Sequence, residues 1–289
     1  MFLRRKINGR PLRKQHPSPQ VKDTFKMKSK FLIPTTLASL TGFLPQSQAF
    51  PVLGTADTFA VLWASTVTST GAAGTILYGD LGVYPGIAIT GFPPGIVVNG
   101  TTYAGGPVAQ QAQIDASAAY EALGLEPVTS DFTGQDLGTV GTLQPGVFNF
   151  DTSAQLTGIL VLDATNNSNA RFDFKIGSTL KTASASMVIL TNGAQASNVF
   201  WRVVSSATLG TDTAFLGNII ALTSITLDTR ATILCGSALA LNGAVTLDQN
   251  IINNSNTLVP EAASFWPLLA CAPAFGIYQW GVVRRRKRS

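Results

Sequence analysis

The chain has 289 residues and a formal net charge of +5, but the basic excess sits at its two ends. Residues 1–49 hold ten Lys/Arg against one Asp, and the last thirty hold five against one Glu. The stretch 50–259 therefore has five basic and thirteen acidic side chains, a balance of 5 − 13 = −8. A basic surface for nucleic acid is excluded there. The single histidine, His16, lies outside it, and its one cysteine is Cys235, so Ser-His-Asp or Cys-His catalysis and His- or Cys-ligated zinc are excluded too.

At the N-terminus, Lys28 and Lys30 precede an apolar run from Phe31 to Leu44, and Ser47-Gln48-Ala49 fits a small-x-small cleavage pattern. Residues 1–49 thus read as an N-terminal extension and secretory signal peptide, with Met27 as an alternative start. That layout implies export, with the mature protein secreted or held at the cell surface.

Residues 50–259 suffice for one domain with a sizeable core. They are poor in charge and hold 28 threonines, a composition of thin strands with small side chains rather than a large enzyme cleft. The spacing of residues 55–62 predicts a short helix. Thr66-Val-Thr68 and Thr75-Ile-Leu77 read as strands between the turn sequences Gly79-Asp-Leu-Gly82, Pro85-Gly86 and Gly91-Phe-Pro-Pro-Gly95. Pro107 suits a first helical position. Val108, Ala112, Ala116, Ala119 and Leu123 then fall on one face, and Gly124 is a stop, which predicts a helix over 108–123 lying along the strands. Strands are predicted at 146–150, 158–163, 171–176, 187–190 and 199–204. Cys235 reads as a small core residue.

A repeat follows. Ser206-Ala-Thr-Leu-Gly-Thr211 aligns with Ser224-Ile-Thr-Leu-Asp-Thr229, Thr226-Leu-Asp228 recurs as Thr246-Leu-Asp248, and Gly217-Asn-Ile-Ile-Ala-Leu222 matches Gly236-Ser-Ala-Leu-Ala-Leu241. The offsets are 18 to 20 residues. A unit that short cannot bury its own apolar face and must stack on its neighbours. With period-two alternation inside each unit, the pattern is that of a β-solenoid. Ala207, Leu209, Ile225 and Leu227 should point inward, and Ser206, Thr208, Ser224, Thr226 and Thr246 outward on a single face. A second face is expected through Thr213 and Thr232.

At the C-terminus, residues 262–283 form an uncharged, mostly apolar run long enough to cross a bilayer, and Arg284-Arg-Arg-Lys-Arg288 follows. Residues 260–289 are read as a hydrophobic sorting or anchor tail containing a transmembrane helix. Val259-Pro260-Glu261 resembles the start of the bacterial PEP-CTERM sorting signal, whose tails the resemblance implies are removed during export. Membrane attachment or sorting through this tail is the expectation.

The remaining enzymatic option is a carboxylate pair. Asp228 and Asp248 occupy equivalent places in consecutive repeats, but turn roles for both carboxylates fit their context better. Asp173 and Lys175 share one strand face and read as an exposed ion pair. No catalytic residue, cofactor or metal ligand is expected.

Taken in order, Gly79-Asp-Leu-Gly82, Gly91-Phe-Pro-Pro-Gly95, Ile176-Gly-Ser-Thr-Leu180, Asn192-Gly-Ala-Gln195, Asn198-Val-Phe-Trp201, Ser205-Ser-Ala-Thr-Leu-Gly210, Gly217-Asn-Ile-Ile-Ala221 and Ala244-Val-Thr-Leu-Asp248 resemble the bacterial and fungal ice-binding protein family. The resemblance runs from about Leu53 to Ile252. It implies a mostly β fold, a right-handed parallel β-helix of roughly triangular section with one long α-helix packed alongside. It also implies that one flat face adsorbs to an ice crystal surface. The family's usual Gly-Arg appears here as Gly236-Ser237, its usual Gln as Lys175 and again as Arg202, and a customary Gly as Val204.

The expected function is extracellular ice binding (antifreeze or recrystallisation inhibition) through Ser206, Thr208, Ser224, Thr226 and Thr246. The alternative is a structural or adhesive protein of the cell surface or biofilm matrix.

Overall fold

The computed structural model describes residues 53–254. The predicted leader, the apolar C-terminal run and the tail's sorting motif lie outside these residues. No helix among the described residues is long and apolar enough to cross a membrane. The expected transmembrane helix is therefore not found among them.

Short strands build three parallel sheets that form the three sides of a β-helix. In stacking order, face A runs Thr102–Ala104, Asp80–Val83, Phe59–Trp63, Ala238–Ala240, Asn218–Ala221, Val199–Val203, Phe172–Ile176, Gly146–Phe150 and Ser130–Asp131. Face B runs Ala154–Leu156, Leu180–Thr182, Ala207–Leu209, Ile225–Leu227, Val245–Asp248, Thr66–Thr70 and Ala88–Thr90. Face C runs Ile96–Val98, Ile76–Tyr78, Ile251–Asn253, Thr232–Leu234, Ala214–Leu216, Met187–Thr191, Ile159–Asp163 and Thr142–Leu143.

The chain does not wind from one end to the other. Its first coils are laid down at one end. Helix α1 (Gly106–Leu125) then carries it back along face A, and later coils climb until the last one meets the first. Val61 pairs with Ala238, Val67 with Val245 and Ile251 with Ile76. A 20-residue helix spans about 30 Å, or roughly six strand spacings, which suits this return.

Alternation within each strand sends one set of side chains inward. On face A, Val61, Ala238, Ile219, Trp201, Phe174 and Phe148 form one inward row, small residues standing beside large ones. Phe174 and Trp201 stack at 3.8 Å, Phe148 lies 5.0 Å from Phe174, and Phe215 lies 4.8 Å from Trp201. Trp201 also donates from Nε1 to the Leu216 carbonyl (3.1 Å), so its polar edge is satisfied inside the core. Cys235 is buried, as expected.

The corners rely on left-handed residues. Between faces B and C, Ala185, Asp212, Arg230 and Gln249 all have φ between 54° and 59°. The amides of the first three reach the next coil's carbonyls at Thr211, Thr229 and Asp248 (2.8, 3.0 and 3.0 Å). These ladder bonds offset the cost of a left-handed non-glycine backbone. At Gly236, a Cβ would stand 2.0 Å from the Gly217 carbonyl oxygen, so only glycine fits.

The outward side chains of face A are apolar where α1 covers them. Leu62, Leu239 and Ile220 are fully buried beneath Ala112, Ala116, Ala119, Tyr120 and Leu123. The alanine stripe lets the helix approach closely.

Three local readings change. Residues 54–58 form a 3-10 turn and Phe59–Trp63 is a strand, because the apolar run 59–63 is buried on both sides, by the core and by α1. Thr213 is buried at a corner, its hydroxyl bonded to that of Thr182 (2.8 Å), whereas Thr232 points outward on face C, so they do not share a face. Asp173 is buried and pairs with Arg171 (2.8 Å), while Lys175 donates to the Glu126 carbonyl (3.0 Å). The expected exposed Asp173–Lys175 pair is therefore absent, because the helix end occupies that surface.

Candidate functional site

Among the described residues no group of three or more His, Cys, Asp or Glu side chains could hold a metal. An open groove of about 400 Å³ between α1 and the adjoining coils is lined by Tyr84, Gln113, Ile114, Leu222 and Leu241, with Glu121 as its one carboxylate. A lone carboxylate there supplies no acid–base pair. Asp228 and Asp248 do occupy neighbouring places at the edge of face B. Asp248 accepts from the Thr229 hydroxyl, and the Asp228 carbonyl accepts from Asn250 Nδ2 (2.9 Å), so each is tied into the corner at the end of its strand. At the same edge Arg230 grips Asp212 through two hydrogen bonds (2.7 and 2.8 Å), which hold that carboxyl below the usual range.

The regular feature is the outer surface of face B. Pairing sets Thr208 beside Thr226, Thr226 beside Thr246, Thr246 beside Thr68 and Thr68 beside Thr90. Five threonines thus stand in one row at the strand spacing of about 4.8 Å. Among the described residues, none of the five hydroxyls has a hydrogen-bond partner within the protein. Their neighbours Val67, Ala207, Leu209, Ile225, Val245 and Leu247 point inward and are buried, which fixes the row against rotation.

The flanking row, two residues earlier in each strand, is Ser206, Ser224, Ala244, Thr66 and Ala88. Ser206 accepts from the Ser224 amide (3.4 Å) and Ser224 from the Ala244 amide (3.2 Å). These two serines hold the corner as well as facing outward, unlike the threonines beside them. The structure therefore brings Thr208, Thr226 and Thr246 into line as expected and sets Ser206 and Ser224 at the rim of the same face. Thr68 and Thr90 join the row without having been singled out. The sequence signals Thr68 only through the strand Thr66-Val-Thr68, and Thr90 not at all.

A family model described as ice-binding-like matches residues 61–253. The chain belongs to that family. It is 49% identical over 244 residues to an ice-binding protein of Nostoc sp. (strain HG1), covering 84% of this chain and 89% of that one. Its fold is similar to the crystal structure of an ice-binding protein from an Antarctic biological consortium, with a TM-score of 0.66 and 44% identity, over 69% of this chain and 89% of that one. It is also similar to an ice-binding protein from the Antarctic ascomycete Antarctomyces psychrotrophicus, with a TM-score of 0.66 and 39% identity, over 71% and 98% of the two chains.

This ice-binding-like chain accommodates its departures from the family pattern locally. Arg202 donates from Nε to the Tyr120 carbonyl (2.9 Å) with its guanidinium 4.0 Å from the Tyr120 ring, and Lys175 reaches the Glu126 carbonyl. Both cations thereby sit at the negative end of α1. Ser237 is fully buried and donates to Asn218 Oδ1 (3.0 Å). Arg202 and Lys175 lie on strands of face A and Ser237 immediately precedes one, all away from the threonine row.

Proposed function

We propose that the protein adsorbs to ice through face B and so limits ice-crystal growth or recrystallisation outside the cell. The observation that carries this reading is the register-locked row Thr208, Thr226, Thr246, Thr68 and Thr90, with hydroxyls left to solvent. Each threonine offers a hydroxyl that anchors a water and a methyl that favours cage-like water around it. A stiff, parallel array presents many such groups at once with little ordering cost. Ser206 and Ser224 extend the array at its rim. Adsorption of this kind needs no catalytic residue and no cofactor. The leader-like pattern at residues 28–49 supports export.

The other two faces fit the role less well. Face A is covered by α1. Face C presents Ile96, Ile76, Ile251, Thr232, Ala214, Met187 and Ile159 in its matching row, with a single hydroxyl among them.

The test compares ice-crystal shaping and recrystallisation inhibition by the purified protein and by Thr226→Tyr. The bulky ring should abolish both activities while stability stays within roughly 0.5 kcal/mol, as for an outward-facing site. Round, freely growing crystals with the unmodified protein would overturn the reading.

A further inference from the structure

We infer that Lys181 sets the boundary of the adsorbing surface on face B. This rests on the reading of that face given above. The threonine row does not stop where the sheet stops: Lys181 pairs with Thr208, and Gln155 with Lys181. Lys181 is exposed and makes no ion pair or side-chain hydrogen bond among the described residues. Its ammonium is a compact, strongly hydrated charge on a long stem, which holds water in its own shell and stands away from the plane of the threonines.

Everything else in that coil suits a continued surface. Two residues before Lys181 stands Thr179, whose hydroxyl bonds to Ser153 (2.7 Å) in the flanking row, and two residues after it stands Ala183. Leu180 and Thr182 on either side point inward and are buried, so the backbone there is held as firmly as under Thr208. The interruption is one side chain and not a change of fold. With threonine at 181 the row would lengthen from five coils to six, and the uninterrupted surface would reach Gln155.

The experiment measures the protein concentration needed for recrystallisation inhibition, with thermal melting as a control, for the unmodified chain, Lys181→Thr, Lys181→Ala, Lys181→Arg and Thr226→Tyr. An added anchoring group on a rigid array should lower that concentration about threefold for Lys181→Thr. Lys181→Ala should fall between, Lys181→Arg should match the unmodified chain, and all three should melt alike. A Lys181→Ala gain equal to that of Lys181→Thr also supports the inference, since removal of the charge then suffices. If Thr226→Tyr is inactive but Lys181→Thr and Lys181→Ala show no gain, the boundary role is wrong and the face stands. If Thr226→Tyr keeps full activity, the face assignment fails and the role of Lys181 falls with it.

Discussion

Leu239 and Thr246 stand in the same coil, on adjoining sides of the β-helix, and both point outward. One is fully buried and the other exposed. Their strands are alike in pairing and in the inward residues that fill the core. The difference comes from what lies outside: α1 runs over face A and leaves face B bare. In a solenoid the inward positions decide whether the chain folds. The outward positions decide what each side is for, because they are the ones free to match a helix, a partner or water.

Placing the same charge on both sides breaks this comparison most sharply. Leu239→Lys puts an ammonium beneath α1 with no partner and removes a packed leucine, so it should cost more than about 4 kcal/mol. Thr246→Lys places the charge in a row where Lys181 already stands exposed, so stability should move by roughly 0.5 kcal/mol or less. Thermal melts read the first effect and ice shaping the second, which should be lost in Thr246→Lys despite its intact fold. Similar melting of the two variants would mean that the two outward surfaces are not as different as described.

Asp173 sharpens the comparison on the covered side. Burial beside the end of α1 pushes its carboxyl from 3.8 up to about 6, against the opposing pull of Arg171. The native state then holds its proton to higher pH than the unfolded chain does. The stability that Asp173 contributes is greatest below about pH 4, falls as pH rises through about 6 and levels off above, by about 3 kcal/mol in all. Urea unfolding of the unmodified chain and of Asp173→Asn across that range should show the decline as the difference between the two. A difference that rises with pH over the same window would mean that the Arg171 pair outweighs burial.

The sequence made the inward pattern and the helix readable. Local alternation placed Ile225 and Leu227 in the core, and the predicted helix 108–123 became Gly106–Leu125. The row Thr208, Thr226 and Thr246 was visible because those coils follow one another in the chain. Thr68 was not, since it joins the row by pairing with Thr246 across 178 residues, a contact made only when α1 returns the chain. Thr213 departs from the expected outward face because period-two alternation breaks at the left-handed corner beside it. Asp173 and Lys175 differ from the expected solvent-facing pair because strand periodicity says nothing about a helix laid over the sheet.

The smallest effect concerns the residues that tie α1 down. Arg202 answers the Tyr120 carbonyl and ring, and Lys175 the Glu126 carbonyl, so two cations share the C-terminal end of the helix. Arg202→Ala removes a charge-assisted bond, a cation–π contact and a favourable charge near the helix terminus. It should cost about 1–2 kcal/mol by urea denaturation, softened because Lys175 remains and the site is half-exposed. Arg202→Lys should recover only part of this, since an ammonium lacks the planar group that stacks on Tyr120. Ice shaping should be unchanged in both variants, because the altered side chain lies on face A. Loss of activity from Arg202→Ala at unchanged stability would show that the covered face takes part in adsorption after all, and that the division of labour between the two sides is wrong.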